Sequence, residues 1–178
     1  MSGGIWMNPI RPTSGKLLQT LFNIVGPRPG GSFLDLFAGT GRVGLEALRW
    51  GFTSVVAVEL NPRACSGLKT SFLRKPEGIF LEIVCMDVRR AMVLLCRKER
   101  VFDMVFADPP YENDWVLSLT KGDSFLWRDL LSEDGVFVLE HSVREKVPEE
   151  LTGIACETRR YGDSCLSFLR PPKRGECR

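Results

Sequence analysis

The sequence predicts an α/β domain built on a mostly parallel sheet with helices on both faces. Short apolar runs alternate with helical patterns through the middle of the chain, as parallel strands joined by crossover helices require. A glycine-rich turn, Gly39-x-Gly41-x-x-Gly44, follows the first run and opens a helix. Near the end, Gly162-Asp163 separates two further runs and reads as the turn of an antiparallel hairpin.

Taken in order, Thr13–Val25 has helical spacing and precedes the sheet. Strands are expected at Ser32–Phe37, Ser54–Leu60, Ile79–Cys85, Phe102–Ala107 and Gly135–Glu140. Helices are expected at Arg42–Trp50, Pro62–Phe72 and Val88–Lys98, with one or two short pieces between Trp115 and Leu131. Asn61-Pro62 marks a helix start, an N-cap followed by proline at the first helical position. Ile154–Tyr161 and Ser164–Arg170 form the hairpin, and the proline-led basic tail from Pro171 reads as a solvated end.

At 178 residues the chain fits one domain, 1–178, with an N-terminal arm and helix over 1–30 and a tail over 171–178. Apolar residues at 44% and charged residues at 26% exclude a disordered or low-complexity chain. No apolar run approaches the ~18 residues of a membrane span. Nothing before Arg11 is basic, and Pro9 and Pro12 interrupt the start, so a secretory signal is not expected. Lys and Arg number 24 against 22 Asp and Glu, a net charge of +2 that permits a nucleic-acid partner without demanding one. The 6 cysteines form no C-x-x-C pair and His141 is the only histidine. That disfavours metal sites, disulfide frameworks and histidine-based nucleophilic catalysis, and points to reduced thiols in a cytoplasmic setting.

The glycine turn lets a ligand approach the backbone, although a tight strand-to-helix turn needs glycine in any case. Asp35, at its mouth, separates the candidate ligands. A carboxylate there repels a pyrophosphate and suits a ligand carrying positive charge, such as the ammonium and sulfonium of S-adenosylmethionine. The run from Asp35 through Phe37, Ala38, Gly39 and Gly41 is therefore expected to line a cofactor. Glu59, ending the second strand, can accept from both ribose hydroxyls. Asp87 can accept from the adenine amine, or cap the helix from Val88, or do both, with Leu60 and Val88 against the ring faces.

The fourth strand leaves the sheet at Asp108-Pro109-Pro110-Tyr111. Strands one and four are neighbours where a doubly wound sheet reverses, so Asp108 is expected beside the glycine turn. The exocyclic nitrogen of a nucleobase is planar and a poor nucleophile. Acceptors on its N–H groups orient it and favour the pyramidal geometry that frees the lone pair. Asp108 and a carbonyl at Pro109 can supply these acceptors, and Pro110 stiffens a stretch poor in donors. Tyr111 offers a face on which a base can stack.

At this point the chain resembles a known family. Arg11-Pro12-Thr13, Leu21-Phe22-Asn23, Leu34 to Gly41, Gly44-Leu45-Glu46-Ala47-Leu48, Phe102-Asp103, Asp108 to Tyr111 and Tyr161-Gly162-Asp163 recur in order. Together they are similar to the RsmD family of bacterial methyltransferases, which act on the N2 amine of a guanine in 16S ribosomal RNA. The resemblance implies a class I, Rossmann-like S-adenosylmethionine-dependent fold, with seven strands in the order 3-2-1-4-5-7-6. It also implies ribosomal RNA as partner, within an assembled or nearly assembled small subunit, and a monomer is the default. Arg11, Thr13 and Lys16 are candidate RNA contacts. The sequence departs from the family where it usually carries a basic Gly-Arg strand pair before Arg-Pro-Thr, and at Leu18 and Gln19, where a basic and an acidic residue are usual.

Three other readings compete. A DNA adenine-N6 methyltransferase can carry the same tetrapeptide, but commonly adds a recognition segment for which this chain has no room. An NAD-dependent oxidoreductase would use the glycine turn, against the charge of Asp35. A non-catalytic ribosome-assembly factor would keep the fold and tolerate loss of Asp108.

Overall fold

The computed structural model describes residues 15–73, 75–111, 114–121, 126–148, 151 and 153–172. Their order is α1 (Gly15–Val25), β1 (Ser32–Asp35), α2 (Arg42–Arg49), β2 (Ser54–Glu59), α3 (Pro62–Ser71), β3 (Phe80–Cys85) and α4 (Val88–Arg97). There follow β4 (Phe102–Ala107), α5 (Trp115–Thr120), α6 (Leu126–Asp129), β5 (Leu131–Ser142), β6 (Ala155–Tyr161) and β7 (Ser164–Arg170). The strands form a 7-stranded sheet in the order β3-β2-β1-β4-β5-β7-β6. The pairs from β3 to β5 are parallel, and β7 runs antiparallel to both β5 and β6.

Alternation along the strands builds two cores. Phe33, Val55, Met104, Val136 and Val138 face α1, α2 and α3, packing on Leu21, Phe22, Ala47 and Leu68. Leu34, Val56, Val105, Phe137 and Leu139 face α4, α5 and α6, packing on Ala91, Leu95, Leu119 and Trp127. A period of two along strands that are covered on both sides produces this division.

Most boundaries fall where the sequence places them. β1 ends at Asp35 rather than Phe37 because the Asp35 carboxylate accepts from the Phe37 N–H at 3.2 Å and turns the chain. β5 begins at Leu131, before the expected Gly135, because Leu131 pairs with Phe102 ahead of a bulge that brings Val136 opposite Met104. The Asn61 side chain accepts from Arg63 N at 2.9 Å and Ala64 N at 3.4 Å, fixing the start of α3. Thr13 lies outside the described residues, so α1 is described only from Gly15.

Two cysteines depart from expectation. Cys65 and Cys85 form a disulfide across a Cα separation of 6.0 Å, correcting the reading of all six thiols as reduced. The register of β2 on β3 pairs Glu59 with Cys85, and the following turn places Cys65 beside it. Cys96, Cys156 and Cys165 are free. His141 is buried: Nδ1 donates to the Ser142 carbonyl at 3.0 Å, and Nε2 accepts from Ser167 Oγ at 2.8 Å. Ser167 in turn meets Thr158 Oγ1 at 2.7 Å, so the histidine belongs to a satisfied core chain. Among the described residues, no group of acids, cysteines and histidines could hold a metal, and no helix is long and apolar enough to cross a membrane.

Asp103 pins the amino edge of the sheet. Its carboxylate accepts from Ser32 N at 2.8 Å, Ser32 Oγ at 3.0 Å and Ser132 Oγ at 2.8 Å, joining β4 to β1 and β5. Partial burial opposes its charge, but these hydrogen bonds and the nearby Arg28 outweigh it and hold the carboxyl below its ordinary value. A lowered acid stabilises the fold above its unfolded pKa and loses that contribution as pH falls through the folded one. Asp103→Ala is expected to cost about 2–3 kcal/mol at pH 7, with a smaller difference from wild type in strong acid, measured by urea unfolding across pH.

Candidate active site

The parallel arrangement brings the ends of β1, β2, β3 and β4 to one edge, and with them most of the residues singled out from sequence. Asp35 is 1% exposed. Its Oδ1 accepts from Phe37 N, while Oδ2 is buried without a hydrogen-bond partner. Burial raises its pKa to about 7; the Phe37 hydrogen bond lowers it, and the charges of Asp108 and Glu59 raise it further. Asp35 and Asp108 thus share one electrostatic environment, as the adjacency of β1 and β4 requires. A half-satisfied, desolvated carboxylate fits a ligand that brings its own cation and N–H donors, such as an α-ammonium group.

Glu59 does more than sequence spacing indicated. Its Oε2 accepts from Gly39 N at 2.9 Å and its Oε1 from Asn61 N at 2.8 Å, so one carboxylate holds both the glycine turn and the β2–α3 turn. Each oxygen keeps a second lone pair for a diol. The glycines divide by task. Gly41, at φ 79°, holds a conformation that strains any side chain, and a Cβ there would lie 2.6 Å from Leu68 and 2.8 Å from Phe72, so those side chains would have to move. Gly39, at φ 50°, has nothing within 4 Å of where a Cβ would stand, so close approach by a ligand is open there.

Asp87 caps α4, accepting from Arg89 N at 3.0 Å and Arg90 N at 3.3 Å. Leu60, 65% exposed, offers a free apolar face, whereas Val88 is only 5% exposed and serves the core. Ala38 is buried, its N–H donating to the Val58 carbonyl at 2.9 Å. The Cys65–Cys85 disulfide links the β2–α3 side of this edge to the end of β3.

On the other side of Asp35, Asp108 leaves β4 half-buried, followed by buried Pro109 and exposed Pro110. The Tyr111 hydroxyl lies 3.4 Å from Ser164 Oγ at the start of β7. The hairpin therefore reaches the tetrapeptide, a contact that spacing along the chain did not signal. Lys16 is exposed at the start of α1, where a Cβ on neighbouring Gly15 would lie 3.1 Å from the Arg42 guanidinium. That places the beginning of α1 next to the helix that opens after the glycine turn. Arg11 and Thr13 lie outside the described residues.

Sheet order, glycine turn, acid after β2 and Asp-Pro-Pro-Tyr after β4 together define a Rossmann-like fold of the methyltransferase class. A model of the family described as conserved hypothetical protein 95 matches residues 6–170. The chain belongs to that family, which is the one its motifs resemble. It is 37% identical over 145 residues to YlbH of Bacillus subtilis (strain 168), provisionally named an rRNA methyltransferase, covering 78% of this chain and 75% of that protein. It is 27% identical over 143 residues to ribosomal RNA small subunit methyltransferase D of Escherichia coli (strain K12), covering 78% of this chain and 68% of the relative. The solved structure of a hypothetical protein from Thermus thermophilus superposes with a TM-score of 0.75 at 31% identity, covering 90% of this chain and 88% of that one.

The native state holds the Asp35 proton more tightly than the unfolded chain, so Asp35 costs stability increasingly as pH rises from its ordinary range towards 7. A cationic ligand must draw the proton off. Affinity for S-adenosylhomocysteine, which keeps the ammonium group, is expected to rise with pH up to about 7 and then level, as followed by calorimetry. Asp35→Asn should remove that dependence, weaken binding by about tenfold or more, and raise the melting temperature at pH 8.

Proposed function

We propose that this protein transfers a methyl group to the exocyclic N2 amine of a guanine in small-subunit (16S) ribosomal RNA, presented within an assembled or nearly assembled subunit. The observation that carries the reading is the juxtaposition of two acids of different character. Asp35 is buried with one oxygen unpartnered, and Asp108 is half-buried at the head of a proline-stiffened turn. The first suits a cationic donor and the second a planar amine. The E. coli relative, named as a small-subunit rRNA methyltransferase, supports the same choice of substrate.

S-Adenosylmethionine supplies an electrophilic methyl on a sulfonium, which becomes the neutral thioether of S-adenosylhomocysteine as the carbon–nitrogen bond forms. Asp35 and the turn at Phe37, Ala38, Gly39 and Gly41 would hold its amino-acid end. Glu59 would hold the ribose, and Leu60 and Asp87 the adenine. Asp108 and the Pro109 carbonyl accept from the two N–H groups of guanine N2, holding the nitrogen in line and favouring its pyramidal form. Tyr111, steadied by Ser164, offers its ring to the base. The methylated nitrogen is cationic and far more acidic than a carboxylic acid, so Asp108 can take its proton without needing a raised pKa. Positioning supplies most of the acceleration. Lys16, with Arg11 and Thr13 ahead of it, would meet RNA phosphates beside the crevice.

The test is to incubate the protein with methyl-labelled S-adenosylmethionine and unmodified small subunits, digest the RNA and identify the labelled nucleoside. N2-methylguanosine is the expected product; label in N6-methyladenosine, or none, would overturn the reading. Asp108→Ala should lower turnover by about 10²–10³ with S-adenosylhomocysteine affinity nearly unchanged, whereas Glu59→Ala should mainly weaken cofactor binding.

A further inference from the structure

Asp108 to Tyr111 follow the end of β4, and α5 begins four residues after Tyr111, at Trp115. The half-buried Trp115 ring stands edge-on to Phe37, with centroids 5.0 Å apart and planes at 80°. The Arg89 guanidinium lies over the indole, 4.3 Å from the ring centroid. Arg89 Nη2 also donates to Ser118 Oγ, one turn further along α5, at 3.0 Å. The backbone N–H of the same arginine donates to Asp87 at 3.0 Å. One indole therefore joins three connections at the carboxyl edge. Phe37 belongs to the turn after β1, Arg89 follows the turn after β3, and Trp115 opens α5, the first helix after β4.

We infer that Trp115 is a positioning residue. Held by Phe37 and Arg89, it fixes the start of α5, which follows Asp108–Tyr111 closely in the chain, against the two turns assigned to the methyl donor, and so constrains the separation of donor and acceptor. The inference rests on the proposed guanine-N2 methyltransferase reading. A guanidinium over an aromatic face needs that face, and the edge-on contact with Phe37 gains from it too. Leucine at 115 would keep apolar bulk and lose both aromatic contacts, and phenylalanine would keep both. Because transfer depends steeply on alignment, a small shift of Asp108–Tyr111 should appear in the chemical step rather than in cofactor affinity.

Full-length Trp115→Leu, Trp115→Phe and Arg89→Met would be compared with wild type in single-turnover transfer from saturating labelled S-adenosylmethionine to unmodified small subunits. Affinity for S-adenosylhomocysteine would be measured in parallel by calorimetry. Trp115→Leu and Arg89→Met are expected to slow transfer about 10- to 100-fold, with that affinity within about threefold of wild type, and Trp115→Phe to recover most of the rate. Unchanged transfer rates in the leucine and methionine variants would overturn the inference, as would a fall in affinity matching the fall in rate. Should Trp115→Leu fail to fold, Arg89→Met decides, because it alters an exposed side chain. Wild type that binds S-adenosylhomocysteine yet leaves guanine unlabelled would sink the functional reading and this inference with it. Wild type and variants labelling guanine at one rate would sink the inference alone.

Discussion

Three carboxylates converge where the parallel strands end, and the local structure is arranged around the cost of keeping them there. Asp35 is buried, and the charges of Glu59 and Asp108 both push its pKa upward. Backbone N–H groups offset part of that cost, Phe37 for Asp35 and Gly39 with Asn61 for Glu59. What remains is the unpartnered Asp35 Oδ2. A pocket with this excess of negative field disfavours a pyrophosphate and favours a ligand that is positive where it meets the acid. The same glycine turn without Asp35 would suit a dinucleotide; with it, the oxidoreductase reading loses its electrostatic basis.

The side of the crevice formed by β1, β2 and β3 is held together more tightly than its loops alone would require. Glu59 ties two turns through its two oxygens, and the Cys65–Cys85 disulfide adds a covalent link between α3 and the end of β3. Asp87 spends hydrogen-bonding capacity on the start of α4, so the cap and the proposed adenine contact coexist on one side chain. Gly41 sits at a positive φ against Leu68 of α3 and Phe72 just after it, whereas Gly39 is the position where backbone faces open space. The glycine pattern is therefore part packing and part access.

Local signals made much of this legible. Apolar alternation located the strands, Asn61-Pro62 located α3, and Gly162-Asp163 located the hairpin turn, because each depends on neighbours within a few residues. The start of β5 was obscured because Glu133-Asp134-Gly135 has the composition of a turn, and only the bulge opposite β4 lets the strand continue through it. The disulfide was obscured for a related reason. Cys65 and Cys85 are 20 apart in sequence and meet only through the register of β2 on β3. Within the site, Asp35, Glu59 and Asp108 could be read from their place at strand ends. The contacts of Tyr111 with Ser164 and of Trp115 with Arg89 join separate loops and leave no spacing pattern.

The pairing of β1 with β4 decides whether these halves meet in a usable way. On one side lie β1, β2 and β3 with the turns assigned to the donor; on the other lie β4, β5, β7 and β6 with the tetrapeptide and the hairpin that reaches Tyr111. Leu34 pairs with Val105 and Asp35 with Phe106, and the Leu36 N–H continues the ladder to the Phe106 carbonyl at 2.9 Å. A slip of one residue would send Leu34 and Leu36 to the face of α1 and α2 and Phe33 to the opposite core. It would also rotate Asp35 away from the crevice. The apolar alternation that stabilises the two cores is thus the same constraint that sets Asp35 and Asp108 side by side at neighbouring strand ends, where the proposed roles need them, so packing and the placement of these acids cannot be varied independently along β1.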